Sequence, residues 1–280
     1  MQSIAKSPSL RHARAAAALM LATSFMAAAA PLAIVNPGFE DLSGEVVFNE
    51  FTFGPLNGWG LYDPANITNG GAGNTFFIGT LTPFEPDPLG APGIYTNIPA
   101  GAPQGQRVGI AFNFSNSGGL GEYGFQQTLS ATLAANTRYT LAVDVINIAS
   151  GTSSAGTFFN LTGFPGYRVD LLAGGAVIAQ DVNALSGTLA DGAFGTSTVV
   201  FTTDANPLGI GQNLAIRLVN LNVADSVALN ADLEVDFDNV RLDAAPVPVP
   251  TMLPVLAVAC AALSLRRRKR STVGANSFAH

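Results

Sequence analysis

Between Pro31 and Ala245 polar and apolar residues alternate in short runs, the clearest being Tyr139-Thr140-Leu141-Ala142-Val143-Asp144-Val145. A period of two is that of a β-strand with one buried face, because successive side chains leave a strand on opposite sides. The alternation recurs at 167–171, 198–201, 214–218 and 233–237. Gly174-Gly175, Asp191-Gly192, Asn206-Pro207 and Gly118-Gly119 separate such runs, and no helical period intervenes. The expected fold class is therefore all-β, an antiparallel β-sandwich spanning 31–245. The segment 51–106 is rich in Gly, Pro, Asn and Phe and shows little alternation, so it is expected to form long loops at one end of the sandwich.

The last run carries an irregularity. Leu233, Val235 and Phe237 keep one parity, but the next apolar residues are Val240 and Leu242. A reversal of parity without a turn signal predicts a β-bulge at Asp238-Asn239, and bulges re-aim side chains. Glu234, Asp236 and Asp238 then either lie beside a cation or form the solvated face of an edge strand.

Both ends depart from this pattern. Met1 to Ala30 runs from a basic stretch through an apolar Ala15-to-Met26 segment to four alanines, which is the layout of a secretory signal peptide over 1–30. At the other end Val247-Pro248-Val249-Pro250 precedes the apolar run Met252 to Leu265, which is followed by Arg266, Arg267, Arg268, Lys269 and Arg270. That run is slightly short for a transmembrane helix, and the arginines would hold its end in the cytoplasm.

Charge sharpens the picture. All 19 acidic residues lie between Pro31 and Ala245 against five arginines, a formal −14 that the whole-chain −6 conceals. A body this acidic repels phosphate backbones, which excludes nucleic acid as an expected partner. The lone Cys260 precludes an intrachain disulfide. His12 and His280 are the only histidines and lie outside the body, so triads, imidazole bases and zinc sites are excluded there. Paired carboxylates remain able to support acid–base chemistry such as glycoside cleavage.

Two resemblances follow from these residues. The tail over 246–270 resembles the PEP-CTERM family of sorting signals in its Val-Pro-Leu-Pro-Ala form; 271–280 extends beyond it. The resemblance implies processing by an exosortase at Val247, Pro248 and Pro250, with Arg266, Arg267 and Arg268 as the basic stop. It also implies transient inner-membrane anchoring and a final place at the cell surface or in the extracellular matrix. The opening Val35-Asn36-Pro37-Gly38-Phe39-Glu40, Gly58-Trp59 and the closing Val235 to Leu242 resemble jelly-roll carbohydrate-binding modules of the galactose-binding-like superfamily. That likeness implies a structural calcium held by Glu40 and Asp238, with Asn36 a weaker ligand. It also implies a glycan bound by aromatic rings, for which Tyr62, Tyr95, Tyr123 and Trp59 are the candidates, Trp59 being more readily a core residue. The resulting expectation is a non-catalytic, exported module that binds or scaffolds exopolysaccharide. A self-associating matrix or adhesion protein is the first alternative, and a carboxylate-dependent glycosidase or lyase the second.

Overall fold

The computed structural model describes residues 28–248 apart from 49, 84–97, 99, 115–120, 154, 225–227 and 229. Fourteen strands follow in order: β1 (Ala30–Pro31), β2 (Phe51–Phe53), β3 (Gly60–Tyr62), β4 (Phe76–Leu81), β5 (Val108–Asn113), β6 (Tyr123–Thr132) and β7 (Thr137–Asn147). They continue with β8 (Gly151–Thr152), β9 (Phe158–Phe159), β10 (Tyr167–Ala173), β11 (Ala176–Val182), β12 (Ala193–Thr202), β13 (Asn213–Asn220) and β14 (Leu233–Pro246). A seven-stranded sheet runs β12-β7-β14-β5-β4-β2 with β1 beside the far half of β14, and a five-stranded sheet runs β11-β10-β13-β6-β3. Every strand pairing is antiparallel. The expected β-sandwich is thus present, and each of the five alternating runs lies within a strand.

Alternation fills the space between the sheets. Leu141, Val143 and Val145 of β7 and Val235 and Phe237 of β14 meet Phe125 of β6, Leu218 of β13 and Val169 of β10 in one buried cluster. Trp59 is fully buried in it, stacked 5.3 Å from Phe39, and its Nε1 donates to the Asn36 carbonyl at 2.8 Å. The close sheet-to-loop fit needs a glycine at 109, where a Cβ would lie 2.5 Å from the Phe39 ring.

The expectation for 51–106 is corrected. This segment supplies β2, β3 and β4, and β4 is an interior strand whose six residues, like those of β5, are all buried. A strand covered on both faces shows a continuous apolar run rather than alternation, so its signal was lost among the surrounding glycines. The cover on the outer face is a second apolar cluster of Phe77, Leu81, Val108, Ile110, Phe112, Ile146, Ile148 and Leu161, joined by Phe159 of the small β8-β9 ribbon.

The bulge appears where the parity break placed it. Pairing of β14 with β7 shifts register between Asp238 and Arg241, and Asn239 takes a φ of +51°. The edge-strand alternative for Glu234, Asp236 and Asp238 is overturned: β14 lies inside the sheet and all three are buried.

Candidate active site

Strand alternation that sends Val235 and Phe237 into the inter-sheet core sends Glu234 and Asp236 to the opposite face. There Asp236 pairs with Ile110 on one side and Ile146 on the other, and Glu234 pairs with Phe112. These neighbours belong to the second apolar cluster, so two carboxyl groups lie in a hydrophobic layer. Asp236 is fully buried and Glu234 nearly so. Neither oxygen of Asp236, nor Oε1 of Glu234, finds a donor among the described residues. The two carboxyl groups leave β14 on the same face, two residues apart, close enough for the charge of Glu234 to oppose ionisation of Asp236.

The electrostatics follow. Loss of hydration pushes Glu234 up to about 8, and burial together with the neighbouring Glu234 raises Asp236 well above the usual carboxylate range. At neutral pH the pair holds protons in surroundings that would not tolerate its charge. A neutral carboxylic acid in a dry site is a proton donor of useful strength.

Around the acids stands a wall of phenylalanines. Phe77 and Phe112 lie 4.9 Å apart, Phe53 meets Phe77 edge-on at 4.9 Å, and Phe159 meets Phe112 edge-on at 5.8 Å. Phe53, Phe114 and Phe158 remain 42%, 42% and 64% exposed, so the aromatic layer runs out to the surface. On the inter-sheet side, the Tyr123 hydroxyl is buried without a partner among the described residues, and burial pushes it well above its ordinary range.

A third acid terminates the row. Asp238 pairs with Asp144 across the ladder, and its oxygens accept from Gln104 N and Asn239 N, both at 2.6 Å. Burial, with the charges of Glu40 and Asp144, raises it to about 7. Glu40 reaches the same loop, Oε1 accepting from Gln106 N and Arg107 N at 2.7 Å. Two carboxylates from distant parts of the chain thus converge on residues 104–107 and repel one another. That all-oxygen donor set suits calcium, which takes about six to eight oxygens including backbone carbonyls. Among the described residues no cluster of three or more His, Cys, Asp or Glu could hold a metal, so carbonyls would have to complete the shell. Asn36 does not fit: its amide donates to the Asp41 and Asn57 carbonyls, and its Oδ1 accepts from Asp41 N.

The raised acids set a pH dependence. From about pH 4.5 to 8 the unfolded chain has lost the Glu234 proton while the folded chain keeps it, so folding stability falls as pH rises through that window. Asp238 adds the same slope from about 4 to 7. Glu122, held low by Arg168, acts oppositely and loses its contribution only under acid conditions. Asp236 adds the same slope for as long as it keeps its proton, so urea midpoints measured from pH 5 to 9 are expected to decline across that range.

The remaining sequence-derived sites fare differently. Tyr62 lies on the outer face of the five-stranded sheet, its hydroxyl donating to Glu122 at 2.7 Å and its ring beneath Arg217. Trp59 is core, so it presents no ring to a glycan. Tyr95, Pro250, Arg266, Arg267 and Arg268 lie outside the described residues, whereas Val247 N donates to the Asn136 carbonyl and Pro248 is exposed. A cavity of about 240 Å³ opens beside Arg217, on the sheet away from Asp236. Chemistry favours the acid pair as the active site, because a guanidinium stays charged near neutral pH and is a poor proton donor.

Fold and site together define an all-β protein with a protonated carboxyl on an aromatic sheet face. The HpiC1-like family model, described as HpiC1 cyclase, matches residues 30–243. The chain belongs to this HpiC1-like family. A cyclase from Fischerella sp. TAU is similar at 34% identity and a TM-score of 0.63, over 79% of this chain and all of that one. The same values, at 33% identity, hold for a Fischerella sp. TAU cyclase bound to 4-(1H-indol-3-yl)butan-2-one. They hold again for the Stig cyclase Fisc of that organism bound to (3Z)-3-(1-methyl-2-pyrrolidinylidene)-3H-indole. No curated protein matches the chain in sequence.

These findings correct four expectations. The chain's family is that of cyclases, not of PEP-CTERM proteins or carbohydrate-binding modules. The non-catalytic assignment falls with it, since the family and its solved relatives are enzymes. The self-associating matrix alternative and the glycosidase alternative give way to the same match. The expected exosortase and polysaccharide partners are displaced by small molecules, which are what the solved relatives bind. The physical reason lies in β14: a strand that looked like an acidic surface is interior, and burial turned its carboxylates into acids.

Proposed function

We propose that this protein is a cyclase that closes a ring by proton transfer from Asp236 to an apolar, indole-bearing substrate held against the phenylalanine wall. The observation that carries this reading is the protonated Glu234–Asp236 pair, buried between Ile110, Ile146 and Phe112. The Asp236 O–H gives its proton to one π bond of an unsaturated side chain, forming a C–H bond and a carbocation. A second π bond attacks that cation, forming the new C–C bond. Loss of a proton to the Asp236 carboxylate then restores the acid. The product is an isomer of the substrate, so no co-reactant is consumed. Phenylalanine faces stabilise the passing cation, and the apolar layer keeps out water that would trap it. Glu234, on the same face of β14, raises the cost of ionising Asp236 and so keeps the proton on it.

Glu40 and Asp238 would hold a calcium ion, which when bound supplies charge neutralisation and ties the 104–107 loop to the bulge. Its removal by a chelator is expected to lower the melting temperature of the wild type, and Glu40→Gln is expected to abolish that response.

The test of the main reading is incubation of the full chain with an indole carrying an unsaturated side chain, followed by mass spectrometry and NMR. A ring-closed product of unchanged mass is expected. No turnover, together with no binding of 4-(1H-indol-3-yl)butan-2-one, would overturn it.

A further inference from the structure

The cavity beside Arg217 has no part in the chemistry above, yet it is built as a site. Its walls are Gln126 and Thr128 of β6, Asn213 and Arg217 of β13, and Gln212, over a floor that includes Leu172. Bulges open the ladders on both sides of it. The β13-β6 pairing shifts register between Asn213 and Ala215, and the β10-β11 pairing shifts between Leu171 and Leu172. At its rim the Gly174-Gly175 turn takes φ values of +59° and +84°, and a Cβ on Gly174 would press to 3.0 Å on the Gln212 side chain.

The two arginines of this face are treated differently. Arg168 is spent, donating to both oxygens of Glu122 and to Asp170. Arg217 is held 4.6 Å over the Tyr62 ring and has no hydrogen-bonded or ion-paired carboxylate among the described residues. A guanidinium fixed by stacking and left with open N–H edges is suited to a planar carboxylate, which it grips through two parallel bonds. The amides offer the opposite chemistry. Gln126 donates its Nε2 to the Leu61 carbonyl and Asn213 donates its Nδ2 to the Leu129 carbonyl, so each turns an oxygen acceptor to spare. A ligand satisfying both must carry a carboxylate and hydrogen-bond donors.

Charge and size narrow the class. Arg168 and Arg217 already balance Glu122 and Asp170 on this face, and the body carries a formal −14, so a net anion is disfavoured. A zwitterion is not. The volume of about 240 Å³ lies below the roughly 300–1,000 Å³ of pockets for drug-sized ligands. We infer that the outer face of the five-stranded sheet carries a second ligand site, separate from the cyclisation site, for a small α-amino carboxylate. Arg217 takes the carboxylate, and Gln126 and Asn213 take the ammonium.

Saturation-transfer NMR of the full-length protein against the twenty L-amino acids tests this. At least one is expected to bind, and Arg217→Gln is expected to weaken it by about tenfold or more without changing the far-UV circular dichroism. The matching amine and the matching deaminated acid are each expected to bind about tenfold less tightly. Should Arg217→Gln fail to fold, Gln126→Leu, on an exposed position, reads the same contact. No binding by any of the twenty at about 10 mM, a weaker affinity than specific sites show, overturns the proposal. So does equal affinity for the deaminated acid, or displacement by 4-(1H-indol-3-yl)butan-2-one, which would place the ligand in the cyclisation site instead.

Discussion

Replacing Asp236 with asparagine is expected to lower the cyclisation rate by about 10²- to 10⁴-fold, the range over which positioned general acids act. The substitution keeps the shape of the side chain and introduces no charge into the layer formed by Ile110, Ile146 and Phe112. Because the wild-type carboxyl is itself neutral near pH 7, the variant loses a transferable proton and little else. Binding of an indole ketone should therefore survive, so the loss falls on kcat more than on KM. Glu234→Gln removes a coupled neighbour rather than the donor and should shift the pH profile with a smaller loss of rate. If Asp236→Asn retained full activity, the acid would have to be sought elsewhere on the aromatic face.

The second large effect concerns stability. Trp59→Ala is expected to cost about 3–5 kcal/mol in urea unfolding, the range for removing a large aromatic from a packed core. The ring is fully buried, packs on Phe39 and lies 6.2 Å from Phe125, and its Nε1 bonds to the Asn36 carbonyl. That bond ties the core to a bracket in which Asn36 holds Asp41 and the 57 carbonyl, next to Glu40. Trp59→Phe keeps most of the packing but leaves the Asn36 carbonyl to find water. It should cost about 1–3 kcal/mol, the usual penalty for a buried polar group left unpaired. A Trp59→Ala variant as stable as wild type would contradict the core placement.

How the fold was legible can be seen in β7 and β14. In β7, Tyr139, Leu141, Val143 and Val145 alternate with residues of the other face, and the strand lies where they place it. In β14, the phase break between Phe237 and Val240 located the bulge to the residue, because an inserted residue is the way a strand reverses its inward face without turning. β4 and β5 were hidden by the same logic in reverse. Buried on both faces, Phe76 to Leu81 and Val108 to Asn113 have no polar partner to alternate with.

The site was legible only in part. Glu40 and Asp238 were named, and they do converge on the 104–107 loop. Asp236 was visible only as a member of an acidic alternation, which in one dimension reads the same for a solvated face and for a buried one. Composition kept histidine out of the body, and alternation determined the sheets and the bulge, since these depend on residue content and neighbouring residues alone. Whether Asp236 meets water or the layer of Ile110, Ile146 and Phe112 depends on strands brought beside it from ninety or more residues away in the chain. Only the tertiary structure decided that, and with it whether the residue is a solvated charge or an acid.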